Sequence, residues 1–262
     1  MMRYGVSFAL SDIFFTHFHA DHFLGVIGLI RTLGLQGRTE PMRFFGPRGA
    51  KRVLGAALGL GVERATFEVE VVEVEPGQIL SRGDYEIRAF AVEHGGGALG
   101  YALVEKDRLG RFNPDRAREL GVPEGPLWGK LQRSQSVTLE DGRVVGPESI
   151  VGAPRPGRKL VYTGDTRPCA AAVDAAAGAD LLVHEATFGE EEAERARETG
   201  HATAREAAQV ALAAGVRRLV LTHLSARYSR DPAPLLEEAR GVFAETVVAK
   251  DGMEIEIPYQ DL

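Results

Sequence analysis

THFHADH, residues 16–22, follows the short apolar segment DIFF at 12–15 and concentrates His17, His19, Asp21 and His22 in one loop. In a tight loop after a strand, alternate residues can point the same way, so His17 and His19 can share one cation. Asp21 and His22 can then turn toward a second cation. Imidazole and carboxylate ligands together favour zinc or manganese over calcium or magnesium. A set of exposed loop histidines is the alternative, and so dense a cluster of ligand-type residues argues against it.

The composition is that of an ordinary globular protein. The 262 residues are 44% apolar, which is enough for a large domain with a sizeable core. Basic and acidic side chains number 31 and 37, and the net charge of −6 argues mildly against a nucleic-acid partner without excluding one. A single cysteine, Cys169, and the lack of a signal peptide or long apolar run favour a cytoplasmic protein that does not enter a membrane.

Strand and helix patterns alternate along the chain, which predicts an α/β protein with a mixed or antiparallel part in its sheet. The predicted strands are 12–15, 42–45, 66–74, 85–93, 100–105, 159–165, 179–188, 217–223, 245–249 and 253–257. The predicted helices are 23–33, 49–60, 170–178, 203–215 and 233–243.

Residues 106–157 interrupt this alternation because they are rich in Gly, Pro, Arg and Asp and have little apolar periodicity. We interpret them as an insertion or protruding arm, in which Asp141-Gly142 predicts a hairpin turn. The alternative is a long loop folded onto the domain.

Polar residues follow several predicted core strands at the point where each strand ends. His94, Asp165 and His223 are the clearest cases. Layered α/β folds build their sites at strand ends, so these side chains can join the histidine motif in one cleft. Taken singly, a strand-end aspartate is more often a turn or helix cap, and a lone histidine a satisfied polar residue.

The series THFHADH, EH followed by GY, TGDT and THLS is similar to that of the metallo-β-lactamase superfamily over nearly the whole chain. The resemblance implies a single domain, residues 1–262, folded as a four-layered αβ/βα sandwich with a protruding arm, and two metal ions per subunit at one edge. Zinc is the expected metal and manganese the alternative. Carried over by position, the ligands fall into a first set, a second set and a bridge. They are His17, His19 and His94 for the first ion, Asp21, His22 and His223 for the second, and Asp165 between them.

Three further motifs resemble those of the ribonuclease Z family, which cuts the 3′ trailer from precursor tRNA. They are HEATF at 184–188, GHATAREAA at 200–208 and THLSARY at 222–228. The resemblance implies that Glu185 and His201 form a pair beside the metals. A neighbouring carboxylate raises the pKa of an imidazole and fixes its tautomer, so His201 could protonate a leaving oxygen while Asp21 orients or deprotonates the attacking water. The alternative for His201 is a helix neighbour with no chemistry.

The segment LGVPEGPLWGKL at 120–131 resembles the Gly-Pro motif of that family's tRNA-binding arm. The residues expected to contact substrate are Gly121, Pro123, Gly125, Pro126, Lys130 and Arg227. Acids are interleaved with the cations of the arm, so a solvated charged loop is the alternative, and a structural ion pair is the alternative for Arg227. The resemblance also implies a homodimer.

Family members usually carry further residues before the histidine motif, so this chain is expected to begin late and to be weakly active. The competing functions are another hydrolase of the superfamily, such as an arylsulfatase-like enzyme or a cyclic phosphodiesterase, and a metal-binding protein without catalysis. Loss of the arm would abolish tRNA cleavage and spare small phosphodiesters only if the ribonuclease interpretation holds.

Overall fold

The computed structural model describes residues 2–61 and 65–260, in which strands and helices alternate as the patterning predicts. The strands are β1 Asp12–Phe14, β2 Met42–Gly46, β3 Val69–Glu73, β4 Ile79–Arg82, β5 Tyr85–Ala91, β6 Leu99–Glu105, β7 Val137–Thr138, β8 Val144–Val145, β9 Lys159–Tyr162, β10 Leu181–Glu185, β11 Leu219–Thr222 and β12 Thr246–Val248. The helices are α1 Ala20–Phe23, α2 Gly25–Leu35, α3 Ala50–Leu58, α4 Pro114–Glu119, α5 Pro126–Gln132, α6 Ala170–Ala176, α7 Ala193–Thr199, α8 Ala204–Ala214 and α9 Ala233–Arg240.

The chain divides into two compact units. The first comprises Met1–Val104 and Lys159–Ile257, and the second comprises Glu105–Arg158 and Pro258–Leu262. The second unit therefore contains the whole segment 106–157 that the sequence sets apart, together with the last residues of the chain.

The first unit contains two sheets. One is parallel, with the order β1-β2-β3. The other has the order β12-β11-β10-β9-β6-β5-β4, in which β9 to β12 run parallel and β6 runs antiparallel to β9. Helices α6, α8 and α9 connect the four parallel strands, as parallel neighbours require a crossover. The carboxyl ends of β9, β10 and β11 consequently lie at one edge.

Apolar side chains stack these elements into layers. Ile30 of α2 and Leu54 of α3 pack with Phe44 in one cluster on the three-stranded sheet. Phe45, the next residue on β2, belongs instead to a cluster with Tyr101 of β6 between the two sheets. Alanines and leucines of α8, α9, β10 and β11 form the cluster on the far side of the larger sheet. Helix, sheet, sheet and helix follow one another, and the predicted four-layered αβ/βα sandwich is confirmed.

The second unit has an apolar cluster of its own, which includes Ala117 of α4 and Leu131 of α5. Strands β7 and β8 pair antiparallel, and Asp141-Gly142 lies in the turn between them, where Gly142 has φ 83°. Tyr259 belongs to this unit and places its ring against the guanidinium groups of Arg108 and Arg158, at 3.8 and 4.3 Å from the ring centroid.

The structure corrects several expected elements. Residues 253–257 alternate in hydropathy but form no strand, because a strand needs a neighbour to complete its hydrogen bonds and the pattern supplies none. The helix expected over 23–33 is α2, which begins at Gly25 and ends at Leu35, and the strand expected over 66–74 is limited to Val69–Glu73. Among the described residues, no helix is both long and apolar enough to cross a membrane.

Candidate active site

The histidine motif lies where the two sheets of the first unit meet. The main chain leaves β1 through Phe15 and Thr16, and the Thr16 carbonyl accepts a 2.9 Å hydrogen bond from the Leu99 amide of β6. Gly164 lies against the same threonine, and a Cβ at this glycine would fall 2.8 Å from the Thr16 side chain. Gly164 also has φ 63°, so the glycine of TGDT is required both by its backbone conformation and by the space available.

Strand ends supply the remaining groups of the site. His94 follows β5, Asp165 follows β9, and His223 comes directly after β11. Glu185 is the last residue of β10, while His201 lies in the turn between α7 and α8. Of the seven histidines in the chain, all except His184 reach this one cluster.

Asp165 is the centre of the cluster. Its Oδ2 lies 3.6 Å from Nε2 of His17, 3.3 Å from Nε2 of His22, 3.8 Å from Nε2 of His94 and 3.4 Å from Nε2 of His223. Burial raises the pKa of the Asp165 carboxyl, and the nearby charge of Glu185 adds to this effect against the opposing influence of the histidines. Asp165 is thus a buried carboxylate with imidazole nitrogens on several sides.

The Nδ1 atoms of His17, His94 and His223 each contact a protein group. Nδ1 of His17 lies 3.1 Å from the Thr16 hydroxyl, Nδ1 of His94 lies 2.8 Å from the Gly200 carbonyl, and Nδ1 of His223 lies 2.9 Å from the Thr187 hydroxyl. Such contacts fix ring orientation and tautomer, as they do around metal-bound histidines. They leave every Nε2 facing Asp165.

The donor set fits a bound metal. His17 Nε2 is buried and has no hydrogen-bond partner, which is an unfavourable state for a polar atom unless something else binds there. Burial, together with the neighbouring histidines, lowers the pKa of His17 to about 3, so the ring is neutral and able to ligate. Imidazole nitrogens with a carboxylate oxygen are ligands that zinc prefers.

Among the residues that the structure describes, three groups of side chains have ligand atoms within 4.8 Å of one another. The first group is His17, His19, His94 and Asp165, and the second is Asp21, His22 and His223. The third is Asp165, His201 and His223. His201 therefore also lies close enough to be a metal ligand, and its hydrogen-bond partners determine whether it has that role.

Glu185 is fully buried and accepts hydrogen bonds through both carboxylate oxygens. Oε1 accepts from the Thr166 amide at 2.8 Å and lies 2.8 Å from His201 Nδ1. Oε2 accepts from the Thr187 hydroxyl at 2.6 Å and from the Thr187 and Ala202 amides at 3.3 and 3.1 Å. Burial alone would raise the pKa of Glu185, but the His201 contact and these donors outweigh it and lower the pKa.

Nδ1 of His201 is therefore occupied by its contact with Glu185. Burial lowers the pKa of its imidazole, but the hydrogen bond and charge of Glu185, with the charges of Asp165 and Asp21, outweigh burial and raise it. The ring stacks on His223 with centroids 5.3 Å apart and lies 4.8 Å from His94. The imidazole therefore contacts Glu185 through Nδ1 and lies beside the rings of His94 and His223.

Asp21 is, with His19, one of the two exposed candidate ligands, and its side chain is 78% exposed. Its Oδ2 lies 3.5 Å from His22 Nε2. Its own backbone hydrogen bond and the surrounding histidines lower the pKa of the carboxyl, which keeps it ionised. An exposed carboxylate at the edge of the cluster is able to meet a water molecule.

The expected substrate-contact residues of the arm lie in the second unit, and all of them are exposed: Gly121, Pro123, Gly125, Pro126 and Lys130. Gly125 precedes α5 with φ 127°, and Pro126 is the first residue of that helix. Several arm cations are paired with acids of the same unit. Arg116 with Glu119, Arg118 with Asp115 and Glu124, and Arg143 with Asp141 are such pairs.

Arg227 forms an ion pair with Glu192, which also accepts a hydrogen bond from Tyr228. This is the structural ion pair that sequence analysis gave as the alternative for this arginine. The side chain remains 45% exposed, so the pair leaves part of the guanidinium open to solvent.

Sequence analysis missed Thr187, Gly200 and Arg167. Thr187 touches Glu185, His201 and His223 through one hydroxyl, and Gly200 supplies a carbonyl to His94. The HEATF motif contains Thr187, so its spacing after Glu185 was an available signal. A backbone carbonyl has no such signal because every residue carries one.

Comparisons with known proteins show which family this chain is similar to. The family model described as a beta-lactamase superfamily domain matches residues 8–117 and 141–224. A protein named Ribonuclease Z from Gemmatimonas aurantiaca is 61% identical over 259 residues, which cover 98% of this chain and 82% of that protein. A protein of the same name from Haloferax volcanii is 54% identical and covers 100% and 83% of the two chains.

Two solved structures are also similar to this chain. The short form of human tRNase Z superposes with a TM-score of 0.63 at 26% identity, covering 95% of this chain and 79% of that one. The metallo-β-lactamase fold protein YhfI from Bacillus subtilis has a TM-score of 0.60 at 20% identity, covering 92% and 75%, and supports the fold alone. The chain belongs to the ribonuclease Z family of endoribonucleases, within the metallo-β-lactamase superfamily.

Proposed function

We propose that this protein removes the 3′ trailer from precursor tRNA by two-metal hydrolysis of one phosphodiester bond. The observation that carries the proposal is the Glu185–His201 pair, whose 2.8 Å contact sets a raised-pKa imidazole beside the candidate metal ligands. Relatives named Ribonuclease Z and the human tRNase Z structure support the substrate.

Two zinc ions per subunit, or manganese in their place, are proposed for the ligand cluster. His17, His19 and His94 would hold the first ion, Asp21, His22 and His223 the second, and Asp165 would bridge them. When bound, such ions lower the pKa of water and neutralise charge that develops on the phosphate. The orphaned Nε2 of His17 supports this assignment.

Asp21 is the proposed proton acceptor and His201 the proposed proton donor. Asp21 accepts a proton from the attacking water as the new bond from oxygen to phosphorus forms. His201 donates its Nε2 proton to the O3′ oxygen as the bond from phosphorus to O3′ breaks. The products are a tRNA with a 3′-hydroxyl and a trailer with a 5′-phosphate. Glu185 holds the imidazolium before transfer and orients the ring throughout.

The exposed Gly-Pro segment of the second unit, Gly121–Lys130, is the proposed tRNA contact. Because several cations of the second unit outside this segment are already paired with acids, we propose that contact depends on the shape of the segment and on Lys130 more than on net charge. Arg227 would add a phosphate contact through its exposed face. A homodimer is proposed as the assembly.

The test is cleavage of a precursor tRNA by the purified protein with zinc or manganese, with both new ends mapped. We expect one cut after the discriminator base, a 3′-hydroxyl on the tRNA, and loss of the cut in His201→Ala. Replacement of residues 120–131 by a short linker should abolish this cut and spare hydrolysis of bis-p-nitrophenyl phosphate. Hydrolysis of small esters without any tRNA cleavage would favour another hydrolase of the superfamily.

Metal content and assembly are measured separately. Elemental analysis should give two metal ions per chain, and His17→Ala should lose at least one of them. Light scattering should give the mass of a dimer. One ion per chain in the unaltered protein would contradict the two-metal proposal.

A further inference from the structure

Arg167 lies behind the proposed proton donor and has no assigned role. It follows Asp165 by two residues in TGDTRP, and its amide donates to the Glu93 carbonyl at 2.9 Å in an isolated bridge between the two segments. Its backbone is therefore fixed next to two candidate metal ligands, Asp165 and His94. The side chain points elsewhere, toward the turn that contains His201.

The guanidinium group binds the His201 carbonyl in that turn and the Glu206 carboxylate in the first turn of α8. One terminal nitrogen donates to the His201 carbonyl at 2.5 Å and to Oε2 of Glu206 at 2.7 Å, while the other donates to Oε1 of Glu206 at 2.5 Å. The paired contact with the carboxylate is the bidentate arrangement that only arginine provides. Both side chains are about four-fifths buried, at 20% and 21% exposure.

Glu206 is itself fixed, because it belongs to the capping box of α8. Its carboxylate accepts the Thr203 amide at 2.9 Å, and its own amide donates to the Thr203 hydroxyl at 3.1 Å. The cap, Glu206 and Arg167 are thus linked by a continuous series of hydrogen bonds that ends at the carbonyl of His201.

The turn that contains His201 also makes hydrogen bonds that do not involve Arg167. The side chain of His201 reaches Glu185, and the neighbouring Ala202 amide donates to the same carboxylate. The carbonyl of Gly200 accepts from His94. Glu185 holds the N–H of the peptide group between His201 and Ala202, and Arg167 holds its carbonyl, so loss of Arg167 removes one of the two contacts that keep this peptide from rotating. A rotated peptide would tilt the imidazole away from the leaving oxygen.

We propose that Arg167 is a positioning residue that acts through His201, holding its main chain so that the imidazole reaches the O3′ oxygen. The inference rests on the proposed role of His201 as the proton donor. Arg167 does not touch substrate in this scheme, because both of its terminal nitrogens bind Glu206 and one of them also binds the His201 carbonyl. Its loss should therefore lower kcat and leave KM unchanged.

The experiment is a double-mutant cycle on metal-loaded protein with precursor tRNA as substrate. Arg167→Gln should lower kcat by about 10²-fold, the effect of a small misplacement of a reacting group. The same substitution in a His201→Ala background should cause no further loss. Arg167→Lys should recover part of the rate because its ammonium group can reach one of the two acceptors.

A second substrate separates positioning from structural damage. Bis-p-nitrophenyl phosphate releases a nitrophenolate that needs no protonation, so Arg167→Gln should change its turnover by less than about twofold if the metal site is intact. Arg82→Gln is the matched control, because Arg82 is 19% exposed and pairs with Asp12 away from the cluster. It should leave both reactions unchanged.

Glu206→Gln gives an independent variant if Arg167→Gln does not fold. The amide oxygen can still accept from Thr203 and keep the cap of α8, while the charge opposite Arg167 is removed. Its effect on kcat should have the same direction and also vanish in the His201→Ala background. Equal losses with and without His201, or equal losses with both substrates, would overturn the inference alone. An unchanged rate in His201→Ala itself would overturn the proposed proton donor, and the inference with it.

Discussion

Replacement of Glu185 by glutamine tests the central hydrogen-bond network most directly. Glutamine has nearly the same shape, but it offers one acceptor oxygen and one donor nitrogen where glutamate offers two acceptors. In the native site both oxygens are used, Oε1 by the Thr166 amide and His201, and Oε2 by Thr187 and the Ala202 amide. Every orientation of the new amide therefore places its nitrogen opposite at least one N–H group.

The cost follows from the better of the two orientations. With the nitrogen at the Oε2 position, the amides of Thr187 and Ala202 both lose their acceptor. With the nitrogen at the Oε1 position, His201 can change tautomer and accept from it, and only the Thr166 amide is left unsatisfied. One stranded buried N–H costs about 1–3 kcal/mol, so the free energy of unfolding should fall by about that amount.

Activity should fall as well, because the charge that raises the pKa of His201 is gone and its Nδ1 becomes an acceptor. Loss of a general acid typically costs about 10²–10⁴-fold in rate, so Glu185→Gln should approach His201→Ala in kcat. The two substitutions together should cost little more than either alone, because both remove the same proton donor.

The measurement is urea unfolding of chelator-treated protein, followed by single-turnover cleavage of precursor tRNA with metal restored. Glu73→Gln is the control, since Glu73 accepts the Gly49 and Lys51 amides through Oε1 alone and its other oxygen can become nitrogen at little cost. It should change stability by less than about 0.5 kcal/mol. Equal stability losses for Glu185→Gln and Glu73→Gln would refute the reasoning.

Three further predictions concern the ligand cluster and the second unit. His17 titrates at about 3 in the folded state against 6.5 unfolded, so the unfolded state takes up the proton first and metal-free protein should lose about 2 kcal/mol between pH 7.5 and pH 5; urea midpoints that stay constant over this range would contradict it. Gly200→Ala puts a Cβ 3.3 Å from His94 Nδ1 at φ 75°, so it should cost about 1–2 kcal/mol and weaken metal retention, measured by melting and by dialysis against a chelator; full retention would show that the Gly200 carbonyl is dispensable. Gly110→Ala puts a Cβ 1.8 Å from the Gly152 carbonyl, so the second unit should open and become sensitive to protease. The zinc content should remain unchanged, and a protease-resistant variant would contradict the close packing of these two glycines.

Much of the candidate site could be predicted from the sequence because several of its candidate ligands follow recognisable strands. Asp165 and His223 each come after a parallel strand, so knowledge of the strands places both at one edge. Glu185 and His201 lie on different elements, and a family resemblance paired them before any geometry did. The resemblance, more than residue spacing, also separated a ribonuclease from other hydrolases of the fold.

Other features have no local signal. The short helices α4 and α5 begin with proline and are only a turn or two long, so the hydrophobic periodicity that reveals α8 has no room to develop. The contact of Arg167 with the His201 carbonyl depends on where a turn from another segment falls, which residue types alone do not specify. The alternating residues 253–257 show the opposite error, a strand pattern without a partner strand.

The cluster joins side chains from both sheets, with His17 near the beginning of the chain and His223 near its end. A growing polypeptide carries the first histidines long before the last one is synthesised. Contacts between such distant residues form slowly, because the intervening chain must be ordered before they are made. The ligand set can therefore be complete only after both sheets have folded and met. Metal uptake by a refolding chain would report that late event, and it could be timed against the earlier appearance of helix.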